Sequence, residues 1–259
     1  MSPELETALN AAKAAGEISR NYYHGTLGSF TVATKADRSP VTQADVECEE
    51  AIRRAILGRF PNHGFFGEET GKSDSKSEYL WLVDPIDGTK AFVRRYPFFS
   101  TQIALMRGGA PVLGVSSGTL FDELAWAESG QGAWLNGERL RVSDIADLQD
   151  SAVSTGNLRS LAASAGWPAF GELVATVDRI RGYGDFYHYH LLAAGKIDAV
   201  IESDVNILDI AALAVIVQEA GGVFSDLNGH PVGLETRSVL AANKCLHAEI
   251  LARLKGYVR

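Results

Sequence analysis

The segment Trp81-Leu82-Val83-Asp84-Pro85-Ile86-Asp87-Gly88-Thr89-Lys90 constrains this chain more than any other. Its apolar start reads as a strand that runs directly into two carboxylates. Pro85 has no amide hydrogen for a sheet ladder, so the strand is predicted to stop regular pairing there. Gly88 lets the backbone approach a bound ion or phosphate closely. Asp84 and Asp87 are then expected to face one pocket, and Gly88-Thr89 to open a helix whose free N–H groups point at an anion. Two nearby carboxylates and a carbonyl, such as that of Ile86, offer the oxygen ligands that a hard cation like magnesium requires. Taken alone, the same residues also describe a polar turn.

Two other acidic sites narrow the choice. Phe65-Phe66-Gly67-Glu68-Glu69-Thr70 is a second apolar run ending in carboxylates, which alone would be a solvated loop. Asp209 opens an apolar helix over 209–220 that closes at Gly221-Gly222, where alone it would be an N-cap. Three such sites, far apart in sequence, call for a fold that gathers them.

With 259 residues, 46% of them hydrophobic, the chain is long enough to bury a large core. A formal charge of -8, with no block of lysine or arginine, argues against nucleic-acid and anionic-membrane partners. An anionic substrate would then draw on bound cations for positive charge. No signal-peptide pattern and no apolar run of membrane-spanning length is present, so a cytoplasmic location is expected. Cys48 and Cys245 form no pairing motif and no zinc pattern.

Apolar spacing predicts a helix over 4–23 and a second one after Thr42, where Thr42 and Asp45 make a capping-box pair and Cys48, Ile52, Ala55 and Ile56 form the apolar face. Strands are predicted at 79–83, 101–106, 112–115 and 124–127, with a hairpin at 107–110, giving a mostly antiparallel middle region. Strands at 152–154, 199–201 and 223–225 then alternate with helices. The expected class is α/β (α+β), layered in two halves, 1–150 and 151–259, packed as one functional unit. The Ser/Lys/Asp-rich segment 71–78 reads as a mobile flap beside Glu68.

The strings GEET, WLVDPIDGT and LDIAALAVIVQEAGG, in that order, resemble the three metal-site motifs of the inositol monophosphatase-like phosphatases, which are magnesium-dependent and lithium-sensitive. The resemblance spans nearly the whole chain. It implies an α/β/α/β/α sandwich and a homodimer. It also implies two or three magnesium ions per subunit: Glu68, Asp84 and the Ile86 carbonyl hold one, Asp84, Asp87 and Asp209 another, and a weaker third sits near Glu68. Thr89, with Asp45 and Glu68, matches the positions that orient and deprotonate the attacking water. Gly88 and Thr89 match backbone phosphate donors, and Lys35 matches a basic residue of the early loop.

Within that superfamily, Gly184-Asp185-Phe186-Tyr187-His188-Tyr189, Leu213, and the run from Asp198 to Glu202 resemble the histidinol-phosphate phosphatase branch of histidine biosynthesis. Asp185 and Glu202, with Asp209, would then face the substrate, whose ammonium and imidazole suit carboxylate partners. An inositol monophosphatase, or a broader sugar- or nucleotide-phosphate hydrolase, is the alternative, and a non-catalytic regulatory protein a remote one. His188 and His190, with no third ligand nearby, read as core or surface residues rather than metal ligands.

Overall fold

The computed structural model describes residues 1–25, 32–34, 40–73 and 75–254; Lys35 and Asp74 lie outside the described residues. Helix α1 (Pro3–His24) is capped by the Ser2 hydroxyl and leads through a short ladder, β1 (Val32–Thr34) with β2 (Pro40–Thr42), to α2 (Gln43–Arg59). There follow β3 (Gly64–Gly67), β4 (Gly71–Lys72), β5 (Tyr79–Asp87), the short helix α3 (Thr89–Val93), β6 (Ser100–Arg107), β7 (Ala110–Gly118), β8 (Glu123–Glu128), β9 (Ala133–Leu135) and β10 (Glu138–Arg139). The remaining elements are β11 (Ala152–Thr155), α4 (Arg159–Ala162), α5 (Trp167–Thr176), β12 (Arg179–Arg181), α6 (Asp185–Ala193), β13 (Ala199–Ser203), α7 (Ile207–Glu219), β14 (Val223–Ser225), β15 (Ser238–Ala242) and α8 (His247–Arg253).

The strands form an eight-stranded sheet, β10-β9-β8-β7-β6-β5-β3-β4, and a five-stranded sheet, β12-β11-β13-β15-β14. The larger sheet is antiparallel except where β3 runs parallel to β5. Among the described residues, three apolar clusters fill the spaces between five layers, the middle one lying on both sides of the central helices. Leu5, Ala12, Cys48 and Ile52 of α1 and α2 pack on Trp81, Val83 and Ile103 of the large sheet. Leu82, Ala104 and Met106 on its other face meet α6 and α7, which also cover Val200 and Val239 of the small sheet. Val153, Ile201 and Leu240 on the far face of the small sheet meet α5 and α8. The layering is the α/β/α/β/α sandwich expected from the sequence. Strand alternation produces it, because Trp81 and Val83 go one way while Leu82 and Asp84 go the other.

Helix α7 is apolar on nearly every side, as its place between two sheets demands. Ala104, Gly114 and Ala127 are cross-strand neighbours, and a Cβ built on Gly114 would lie 2.3 Å from the Ala212 carbonyl oxygen. The sheet is thus hollowed where α7 rests, which fixes the helix and its first turn.

Two sequence expectations change in detail. The strand carrying Asp84 does not stop at Pro85. Asp84 pairs with Gln102 and Asp87 pairs with Ser100, so Pro85 and Ile86 together oppose Thr101 in a β-bulge, and the Thr101 hydroxyl donates to the Pro85 carbonyl at 2.9 Å. The helix carrying Asp209 starts at Ile207, with Asn206 as N-cap; Asp209 is the third helical residue, and its carboxylate accepts the Asn206 N–H at 3.0 Å in a capping box. The segment 71–78 is tied to the sheet at its start: β4 pairs with β3, and the Phe65 N–H donates to the Ser73 hydroxyl. Among the described residues no helix is long and apolar enough to cross a membrane.

Candidate metal centre and active site

The bulge determines the centre. In a regular strand, residues three apart point to opposite faces. The extra residue in β5 turns Asp87 onto the face of Asp84, while Ile86 goes into the core beneath α1 and α2. The first turn of α7 lies over that face, so one ligand atom from each of Asp84, Asp87 and Asp209 falls within 4.8 Å of the others. Glu68 lines the same cleft, and its charge is among those that raise Asp84 and Asp209. Glu68 therefore stands beside the cluster.

Glu68 is placed by a residue that the motif reading missed. Glu49 of α2 is buried, and its two carboxylate oxygens accept the N–H groups of Glu69 and Thr70 at 2.7 and 2.9 Å. Gly67 makes room for it, since a Cβ there would lie 2.4 Å from the Glu49 carboxyl carbon. The signal was present in the sequence: Asp45 and Glu49 sit four residues apart on the apolar face of α2, where unpaired charge does not belong. Asp45 is fully buried, with one oxygen held by the Thr42 N–H at 2.8 Å and hydroxyl at 2.6 Å, and the other 3.2 Å from the Thr89 hydroxyl. That hydroxyl also lies 3.0 Å from the Ile86 carbonyl. Gly88 has φ 88°, and a Cβ there would meet the Phe98 carbonyl at 2.5 Å, so the turn into α3 requires glycine.

Burial first, and then the neighbouring carboxylates, push Asp84 and Asp87 well above the usual carboxylate range. The same causes bring Asp209 to about 7, against the opposing pull of the Asn206 N–H. Such a cluster cannot hold all its charges at neutral pH alone. An all-oxygen, converging, mutually repelling donor set fits a hard divalent cation. The sign of the pH dependence follows. Folded Asp209 keeps its proton up to about pH 7 whereas the unfolded chain releases it near 3.8, so the metal-free fold loses stability as pH rises through that window. Thermal melts from pH 4 to 8 are expected to show a falling Tm without metal and a flatter profile with excess magnesium; parallel profiles would refute the assignment.

These residues line a cleft of about 560 Å³ with Gly88, Thr89, Tyr96, Gly156, Asn157, Asp185 and Glu202. Asp185 and Glu202 come from the small-sheet side. Asp185 has φ 45°, an uncommon backbone for a residue other than glycine, and burial with the nearby Glu202 charge raises it to about 6. Burial alone would also raise Glu202, but His188 at 3.2 Å, the Tyr189 hydroxyl at 2.6 Å and the Asn157 N–H at 3.2 Å outweigh it and hold the group below its usual value. His188 and His190 are both buried, and each is hydrogen-bonded to a carboxylate.

The family model for the inositol monophosphatase family matches residues 1–259. A histidinol-phosphatase from Mycobacterium tuberculosis is 39% identical over 98% of both chains. An inositol-1-monophosphatase from Caulobacter vibrioides is 34% identical over 95% of this chain and 98% of its own. The crystal structure of extragenic suppressor protein suhB from Bartonella henselae superposes with a TM-score of 0.89 at 31% identity, covering 98% and 99% of the two chains. A bulged strand and a capped helix turn bring Asp84, Asp87 and Asp209 together beside the Glu68 loop, and the chain belongs to the inositol monophosphatase family of phosphoric monoester hydrolases.

Proposed function

We propose that this chain is a magnesium-dependent phosphomonoesterase that hydrolyses L-histidinol phosphate to L-histidinol and phosphate. The observation that carries the substrate is the pair Asp185 and Glu202, two acidic groups on the cleft wall facing the metal cluster. A phosphate held at the cluster would leave a cationic ammonium or imidazole against them, where charge-assisted hydrogen bonds are strongest. The name of the mycobacterial relative supports the same substrate. The Caulobacter relative supports the second reading, an inositol monophosphatase, whose substrate offers that wall only hydroxyls.

Asp84, Asp87, Asp209, Glu68 and the Ile86 carbonyl would hold the magnesium ions. A bound divalent cation supplies Lewis-acid neutralisation of the phosphate and acidifies water. Thr89 is set to receive a proton from the attacking water while its own hydroxyl proton passes to Asp45, 3.2 Å away. Burial raises Asp45 and so favours its acceptance of that proton. The Thr42 bonds keep its other oxygen fixed during the transfer. The water oxygen bonds to phosphorus as the ester P–O bond breaks, the departing alkoxide takes up a proton from solvent to become the alcohol, and no group of the protein is phosphorylated.

Phosphate release with magnesium from L-histidinol phosphate, inositol 1-phosphate, a nucleotide 3′-phosphate and a sugar phosphate tests this reading. A preference for histidinol phosphate is expected. Asp185→Asn is expected to raise KM for that ester about 10- to 100-fold, the worth of one hydrogen bond to a charged group, with little change for inositol 1-phosphate. Equal rates on all four esters would discard the substrate assignment and leave the metal centre standing.

A further inference from the structure

A row of buried polar side chains crosses the large sheet beneath α6 and connects Asp87 to the surface. Ser100 Oγ lies 3.3 Å from Asp87 Oδ2, and Gln102 Nε2 lies 2.7 Å from Ser100 Oγ and 2.9 Å from Ser116 Oγ. Ser116 Oγ lies 2.9 Å from His190 Nε2, and His190 Nδ1 lies 2.7 Å from Glu123 Oε2. Ser100, Gln102, Ser116 and His190 are all buried, whereas the Glu123 side chain is 19% exposed and opens on a second cleft beside Lys13 and Arg20. Gln102 and Ser116 are cross-strand neighbours, and Gln102 is opposite Asp84.

Hydrogen-bond chemistry gives this row one direction. The Glu123 carboxylate can only accept, so a neutral His190 carries its proton on Nδ1 and leaves Nε2 as an acceptor. The Ser116 hydrogen must then go to Nε2, and its oxygen accepts from the Gln102 amide. The same amide nitrogen donates to Ser100, whose hydrogen is left for Asp87. Turning the Gln102 amide over would call on both hydroxyl hydrogens for its oxygen and strip Asp87 and His190 of theirs. Gln102 Oε1 is buried with no hydrogen-bond partner among the described residues, as befits a group kept in place for its N–H side.

We propose that Glu123, His190, Ser116 and Gln102 are positioning residues that direct the Ser100 hydroxyl onto Asp87, fixing that carboxylate in the rotamer that receives the cation. The proposal rests on reading Asp84, Asp87 and Asp209 as the metal centre. Partners of this kind orient metal ligands and commonly change affinity about 10- to 100-fold when removed; an effect relayed over more bonds is smaller.

The test is manganese affinity by calorimetry on the whole chain, together with nitrogen-15 spectra of the imidazoles. Wild-type His190 is expected as the Nδ1–H tautomer. Gln102→Leu is expected to weaken manganese binding about tenfold and Glu123→Leu about threefold, both scaled down from the range for outer-shell partners. Glu123→Gln, whose amide oxygen still accepts from Nδ1–H, is expected to bind as wild type. Ser225→Ala, which removes another buried serine hydroxyl bonded to a histidine but far from the centre, is expected to leave affinity unchanged. Glu123→Leu alters a partly exposed residue and keeps the test available if Gln102→Leu fails to fold. Wild-type affinity in both leucine variants, Glu123→Gln as weak as Glu123→Leu, or an Nε2–H tautomer in wild type would each overturn the proposal. No manganese binding by wild type would overturn the metal-centre reading itself, and the proposal with it.

Discussion

Replacing Asp209 with asparagine is expected to lower kcat about a thousandfold at saturating magnesium, roughly 4 kcal/mol of transition-state stabilisation, while making the metal-free protein more stable. The two effects have one cause. Burial and the neighbouring carboxylates raise Asp209 to about 7, so above that pH the metal-free fold carries an unwelcome charge that the unfolded chain carries freely. Asparagine keeps the shape and can still accept the Asn206 N–H, but it brings no charge. A gain on the order of 2 kcal/mol at pH 8 is expected, shrinking toward zero only below about pH 3, where Asp209 is protonated in both states. Phosphate release gives kcat, and denaturation in chelator gives stability. Unchanged kcat, or a destabilised metal-free variant at pH 8, would contradict the role given to this residue.

Gly114→Ala is expected to destabilise the fold by about 3 kcal/mol, the upper end for overpacking a rigid core. The new methyl would lie 2.3 Å from a backbone carbonyl oxygen and 2.8 Å from the Ala212 Cα, and a helix backbone cannot rotate aside as a side chain can. Helix α7 must lift as a whole. Ala212 is three residues beyond Asp209, so the ligand moves with it, and manganese affinity is expected to fall along with the denaturation midpoint. An alanine variant with wild-type stability would mean that α7 rests on the sheet less closely than the packing shows.

The elements read from sequence correspond closely to the structure where periodicity was long or punctuation strong. Helix α1, the Thr42–Asp45 capping box, the hairpin between β6 and β7, and β14 all stand where expected. Asp84, Asp87 and Asp209 were legible as a set because each borders an apolar run, the first two at the end of a strand and Asp209 at the start of a helix. The residues that hold them were harder to see. Glu49 is marked in the sequence only as a charge on an apolar helix face, and its tertiary partner, the Glu69-Thr70 loop, reveals what it does. Ser100, Gln102 and Ser116 are ordinary strand residues until register places them side by side. Register is set by pairing over long sequence separations, and local pattern carries little of it.

The bulge at Pro85 and Ile86 has a consequence for how this chemistry can be lost or reinvented. Two carboxylates three positions apart share one side of any α-helix without special provision, whereas a strand needs one irregular step to reach the same phase. The same short motif could therefore serve on a helix of an unrelated fold. Here, deleting Ile86 would be a graver lesion than most substitutions. Every acidic group would survive in the composition, yet Asp87 would swing into the apolar layer beneath α1 and α2, now occupied by Ile86. What a lineage must conserve in this strand is a count of residues as much as their identity.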